Sequence, residues 1–430
     1  AANLQKIIDA VETLKNSADL PSSEKEKAEF ILTFLHSNIL KSYSLYQTRV
    51  DTVFSNGRFN CVSSAVLYMI FCESAGLQTS GVVTKDHAFI TVHINEEDID
   101  VETTNKYGFD PGNRKEFHDQ FGRLTGFSYV PARNYRDRQT ISRIELVSLI
   151  LNNRISDHER QNRFAEAVPL AVDRAILLLG ETLAAGPNDY HNEALFENPR
   201  KNLIDRLLNY GAWLLRSNRE EDALRWAASA SSRYADDERW QEFILTAANN
   251  RIARLIRSNN TQDARTFLEN QKTLLTEISY AQLDAVLTDA QLLRSANQIR
   301  ASADGEAVIT AIEQAREDGK LSGKRAEELY TFAVQKTAST LSAAPARNWR
   351  LAIQFIETAI TRFGSNRELE QSLQTYKSNL STDYHNRFAA EWNKRNYEEA
   401  ERILLEGLAE FPNDRQLQAN KQRIDQQKSN

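Results

Sequence analysis

Apolar residues set the first period of the chain. Leu4, Ile7, Ile8, Val11 and Leu14 recur at steps of three and four, and so do Ala28, Ile31, Leu32, Leu35 and Ile39. Each set covers one face of a helix. Ser22 or Ser23 can cap the second helix, with glutamates following in its first turn. Both helices read as packing elements. From Cys61 the apolar positions Val62, Ala65, Val66, Met69 and Ile70 lead to Ala75-Gly76. This predicts a buried helix about four turns long, closed by Gly76 in the left-handed conformation.

The period then drops to two. Gly81-Val82-Val83 is strand-like. Between 87 and 94, Ala88, Ile90, Val92 and Ile94 alternate with His87, Phe89, Thr91 and His93. Asn95-Glu96-Glu97-Asp98 reads as a turn, and Ile99 and Val101 continue the apolar face, which predicts an antiparallel hairpin. Asp100 and Glu102 then share a face with His87. Registers that keep the apolar faces together set Glu102 opposite Phe89 or Thr91, and in the Phe89 register it reaches His87 along the diagonal. Lys106 to Gly112 is a turn-rich loop able to rim a cleft. Phe117 to Arg138, with Phe121, Phe127, Tyr129, Pro131 and Tyr135, reads as the close of a first domain.

From Ile144 onward the pattern is helical throughout. Small residues recur in a similar context at Ala167, Ala223, Ala264, Ala307, Ala352 and Ala400, at intervals of 56, 41, 43, 45 and 48 residues. Such recurrence predicts helix pairs that bury their faces on one another. Arg216-Ser217-Asn218, Arg257-Ser258-Asn259-Asn260 and Lys394-Arg395-Asn396 read as the turns within pairs. The expected division is therefore residues 1–142 and residues 143–430.

Composition changes this picture in a few places. With only 15 Gly and 8 Pro in 430 residues, helix should dominate. The net charge of −6, without a basic stripe interleaved with aromatics, argues against nucleic acid as a partner. No apolar run approaches the length of a membrane span. The two cysteines, Cys61 and Cys72, fall on one predicted helix about 16 Å apart along its axis, too far for a disulfide. No His, Cys, Asp or Glu grouping has metal-site spacing, and no cofactor is called for. The opening Ala1-Ala2-Asn3 fits a leader removed at a small-residue site, which leans the expectation toward an extracytoplasmic, periplasmic setting.

Chemistry concentrates in a short stretch. Cys61 falls at a helix start, where unpaired N–H groups and the helix dipole favour a thiolate. Cys72, late in the same helix, reads as a buried inert thiol. His87 supplies a base, and Glu102, with Asp100 as the alternate, supplies a carboxylate to orient it. Asn60, Val62 and Tyr107 are the candidates for oxyanion and cleft positions.

Two resemblances follow from these motifs. Asn60-Cys61 opening a helix, Asp86-His87-Ala88-Phe89 on a strand and Val101-Glu102-Thr103-Thr104 on the next resemble the transglutaminase-like superfamily, whose fold is similar to that of papain-type thiol proteases. Glu-Thr-Thr stands where Asp-Pro-Thr is usual. Tyr397-Glu398-Glu399-Ala400 and Phe411-Pro412-Asn413-Asp414 are similar to tetratricopeptide repeats. The joint arrangement resembles a group of bacterial proteins. It implies an α+β thiol-triad domain, with N-terminal helices and a small antiparallel sheet, followed by an all-α tetratricopeptide-like solenoid. It also implies a cysteine hydrolase or acyltransferase, with Cys61 as nucleophile, whose repeats recruit a protein partner. The alternative is a catalytically silent scaffold that binds a protein partner through its repeats.

Overall fold

The computed structural model describes residues 2–85, 87–112, 117, 138–180, 198–345 and 347–429. Asp86, His118, Asp119 and the aromatic stretch from Phe121 to Tyr135 lie outside the described residues. The chain divides into two compact units, Ala1–Phe243 and Ile244–Asn430.

In the first unit, helices α1 (Ala2–Lys15) and α2 (Glu24–Asn38) precede a two-stranded parallel ribbon, β1 (Ser42–Tyr43) with β2 (Arg58–Phe59), and a short helix α3 (Val50–Asn56) between its strands. Helix α4 (Cys61–Ser74) follows at once, and Gly76 beyond its end takes φ +85°, as the sequence predicts. Strands β3 (Gln78–Val83), β4 (Ala88–Ile94), β5 (Glu97–Val101) and β6 (Gln139–Ile141) form one antiparallel sheet in the order β5-β4-β3-β6.

The hairpin is tighter than expected. Glu97 already pairs with Ile94 and Asp98 with His93. Only Asn95 and Glu96 remain in the loop, both with positive φ (47° and 71°), the geometry that matches the twist of flanking strands. Thr91 pairs with Asp100 and Ile90 with Val101. Continued by one residue, this register sets Glu102 across from Phe89.

One face of the sheet packs on α4. Ala88, Ile90, Val92, Ile99 and Val101 join Ala65, Val66, Met69 and Cys72 in a single core, which Leu32 and Leu35 of α2 also enter. Leu146 and Leu149 complete it from α5 (Arg143–Arg160). Gly81 allows this approach, since a Cβ there would stand 2.8 Å from Ile141 and 3.2 Å from Leu146. The change from sheet to helix thus comes at Ser142, whose side chain caps α5, and α5 packs on the sheet domain through one face.

After α5 the described chain is all helix. Helices α6 (Phe164–Leu179), α7 (Pro199–Arg216) and α8 (Glu220–Arg233) follow in the first unit, α9 (Arg239–Arg257) runs across the division, and α10 (Thr261–Asn270) to α17 (Arg415–Ser429) lie in the second. Seventeen helices are present among the described residues. Helices α5 to α8 in the first unit and α10 to α17 in the second each pack on their chain neighbours. The expected intra-pair turns are present, with Asn218, Asn259 and Arg395 in the left-handed region, joined by Asn162. Ala167, Ala223, Ala264, Ala352 and Ala400 are buried. Ala307 is a correction, because it is exposed. The small packing position of that helix is Gly305, where a Cβ would lie 2.2 Å from Thr337 Oγ1. Ala307 stands two residues out of register on the face directed away from the neighbouring helix.

Candidate active site

Cys61 is the first residue of α4, and the cap that starts the helix also fixes its surroundings. Asn60 Oδ1 accepts from Ser63 N at 3.0 Å, and Ser63 Oγ accepts from Asn60 N at 2.9 Å, a reciprocal capping box. Asn60 Nδ2 donates to Leu45 O at 3.1 Å, and Ser63 Oγ donates to Gln47 O at 2.9 Å. The segment before the helix is thereby tied to its N-terminus. Asn60 and Val62 both line the cleft that holds Cys61. Asn60 serves there as cap and tie. The Cys61 and Val62 N–H groups are first-turn donors with no intrahelical carbonyl to reach.

His87 stands just ahead of β4 and Glu102 just past β5. The diagonal across the hairpin brings His87 Nε2 within 2.5 Å of Glu102 Oε2. Cys61 lines the same cleft as His87, and its side chain is close enough to act on the charge of the ring. Burial opposes a charge on His87. The Glu102 carboxylate, its hydrogen bond to the ring and the influence of the neighbouring Cys61 outweigh it and hold the imidazole well above its ordinary value of 6.5.

Glu102 is itself buried and held on its other oxygen. Oε1 accepts from Thr104 N at 3.2 Å and from Thr104 Oγ1 at 2.7 Å. Its backbone N–H donates to Gly108 O at 2.8 Å, and Phe109 pairs back onto Val101. Gly108 is required by close approach, because a Cβ there would fall 2.0 Å from Glu102 O. From the other side, His36 Nε2 donates to Thr103 O at 3.1 Å, and the hydroxyls of Ser64 and Thr103 meet at 2.8 Å. Burial lowers His36 to about 4, so the ring is neutral near pH 7. Tyr43 also feels the site: burial first, then the negative charges of Cys61 and Glu102, push its phenol up.

The alternate carboxylate is engaged elsewhere. Asp100 accepts from Thr91 Oγ1 at 2.8 Å and forms a two-pronged pair with Arg138 at 2.6 and 2.7 Å. Tyr107 is not among the residues that line the cleft. Its exposed ring lies under Lys106 Nζ at 4.6 Å, because the 102–109 turn directs Gly108 and Phe109 inward instead. Cys72 is fully buried, and burial pushes its thiol up. Both cysteines are free.

The cleft beside Cys61 and His87 has a volume of about 610 Å³, within the ~300–1,000 Å³ range of small-ligand sites. One wall is the polar face of α5, with Asn152, Asn153, Ser156, Asp157 and Arg160; the other carries Leu45, Tyr46 and Thr48. Sequence reasoning missed this wall, as it missed His36, Tyr43, Thr104 and Gly108. The stripe at 152, 153, 156, 157 and 160 has visible helical spacing, but its neighbour is set by packing. Among the described residues no group of His, Cys, Asp and Glu is arranged to hold a metal.

No protein-family model matches the chain, and no curated protein matches it.

Proposed function

We propose that the first unit is a cysteine-nucleophile amide hydrolase or acyltransferase of transglutaminase-like type. The observation that carries this reading is that Cys61, first residue of its helix, shares one cleft with a His87 ring hydrogen-bonded to Glu102. In it, Cys61 Sγ attacks the carbonyl carbon of an amide or ester. The oxygen takes up negative charge beside the first-turn N–H groups of α4. As the C–N bond breaks, the His87 imidazolium gives its proton to the leaving amine. Water, losing a proton to His87, then opens the thioester to an acid; an amine in its place forms a new amide. Glu102 holds the ring and its charge throughout. Thr104, Gly108 and His36 are positioning groups for Glu102. The helical array is proposed to be tetratricopeptide-like and to recruit a protein partner. The neighbour-on-neighbour packing of its helices supports that reading.

The test is the rate of Cys61 alkylation by iodoacetamide in the full chain, followed by mass spectrometry. Near pH 6, where an ordinary thiol of pKa ~8.5 is almost wholly protonated, Cys61 should react about tenfold or more faster than free glutathione. His87→Ala should remove the advantage. A Cys61 no faster than glutathione and indifferent to His87→Ala sinks the enzyme reading and leaves a scaffold.

A further inference from the structure

The cleft that holds Cys61 carries two large apolar side chains that the fold leaves largely uncovered. Leu45 is 52% exposed and Tyr46 62%, and both line the same cavity as Cys61 and His87. A single exposed leucine carries no information. This pair differs because its backbone is held rigidly to the nucleophile's own helix. Leu45 O takes the Asn60 amide and Gln47 O takes the Ser63 hydroxyl. Ser44 N donates to Phe59 O at 2.7 Å, and Arg58 donates to Ser44 Oγ at 3.0 Å. The lip is therefore at a fixed position relative to Sγ. Across the cleft, the Arg160 guanidinium lies 4.5 Å from the centre of the Tyr46 ring, which orients the ring while most of it stays open.

The facing wall has the complementary chemistry. Asn152, Asn153, Ser156, Asp157 and Arg160 recur along one face of α5; Asp157 pairs with Arg160 and Asn152 Oδ1 accepts from Arg206 at 3.5 Å, and the further donor and acceptor sites of these amide, hydroxyl and charged groups suit the N–H and C=O groups of a peptide backbone. Asn153 Nδ2 reaches Thr48 Oγ1 at 3.2 Å, so the stripe is tied to the opposite wall. An apolar lip and a polar stripe in the cleft that holds the reacting atom fit an extended polypeptide, which offers both side chains and backbone hydrogen-bonding groups.

Building on the proposed chemistry, we infer that Leu45 and Tyr46 form an apolar subsite beside Cys61. The acyl donor is an extended polypeptide segment with a large apolar side chain next to the reacting carbonyl, its backbone laid along α5. The test compares two chloroacetyl dipeptide amides of equal length, one carrying phenylalanine and one glutamine, as alkylating agents for Cys61 in the full chain. Each rate is divided by the iodoacetamide rate of the same protein, so a variant that slows Cys61 overall still reports. The phenylalanine probe should be faster by about tenfold, the scale on which an apolar pocket discriminates. The preference should vanish in Leu45→Ser/Tyr46→Ser and return in Leu45→Met/Tyr46→Phe. Equal normalised rates in the unaltered protein, or a preference that survives Leu45→Ser/Tyr46→Ser, overturn the inference. A slow iodoacetamide reaction unaffected by His87→Ala is a different outcome: it removes the proposed chemistry, while the ratio still reads the subsite.

Discussion

Glu102 is the side chain on which the state of His87 turns. Desolvation alone would lower the imidazole, and the net rise comes from the carboxylate and from Cys61. Glu102→Gln keeps the shape and removes the charge. The His87 titration, followed by NMR, should move down. A ring that titrates where it did in the unaltered protein would show that Glu102 does not set its charge. The same change has a stability signature whose sign is fixed. A histidine raised on folding contributes fully below its unfolded value near 6.5, and the contribution is lost as pH rises through the folded value. The deficit of Glu102→Gln in urea unfolding should therefore be larger at about pH 6 than at a pH above the folded value of the imidazole. Thiol, imidazole and carboxylate were legible from order and alternation. Leu45 and Tyr46 were not, since nothing local marks which exposed apolar residues flank a cleft.

Helix α4 and the hairpin place the reacting groups, and the 102–109 turn holds the carboxylate. The helix was readable because apolar residues recur at helical spacing from Cys61 and stop at a glycine; its Asn60–Ser63 cap was not. The faces of the hairpin were readable because a one-residue slip would have turned every apolar side chain to the wrong face; the choice between Phe89 and Thr91 opposite Glu102 came from the two-residue loop. The turn was readable as a loop only. Its inward glycine meets a backbone carbonyl six residues away, a contact created by the return of Phe109 to Val101. Gly108→Ala places a methyl against Glu102 O, which cannot move without displacing the strand end. We expect a loss of about 1–3 kcal/mol in urea unfolding, together with slower Cys61 alkylation. A variant matching the unaltered protein in both measurements would mean that the turn does not brace Glu102.

For the molecule as a whole, every residue of the candidate site lies in the first unit. The second unit can then be perturbed separately. Gly305→Ala sets a methyl against the side chain of Thr337, with three of its atoms within about 3 Å. Hydrogen exchange in α12 (Ser302–Glu317) and α13 (Gly323–Ser342) should quicken, while Cys61 alkylation keeps its rate. A parallel fall in the alkylation rate would contradict that separation. Among the described residues no helix is long and apolar enough to cross a membrane.

Periodicity and residue order determined most of the local structure: most of the helices, the hairpin and its faces, Cys61 at a helix start, and the pairing of His87 with Glu102 rather than Asp100. These depend on neighbours within a few residues or one strand apart, where geometry is nearly forced. Tertiary packing settled the remainder. The turn of α5 that buries Leu146 and Leu149 also sets its polar stripe against the cleft; His36 on the second helix braces a loop 67 residues later. Gly305, not Ala307, meets the next helix. Such pairings join surfaces that local pattern identifies but cannot match, because each apolar face has several partners of suitable size and the packing of the whole unit selects among them.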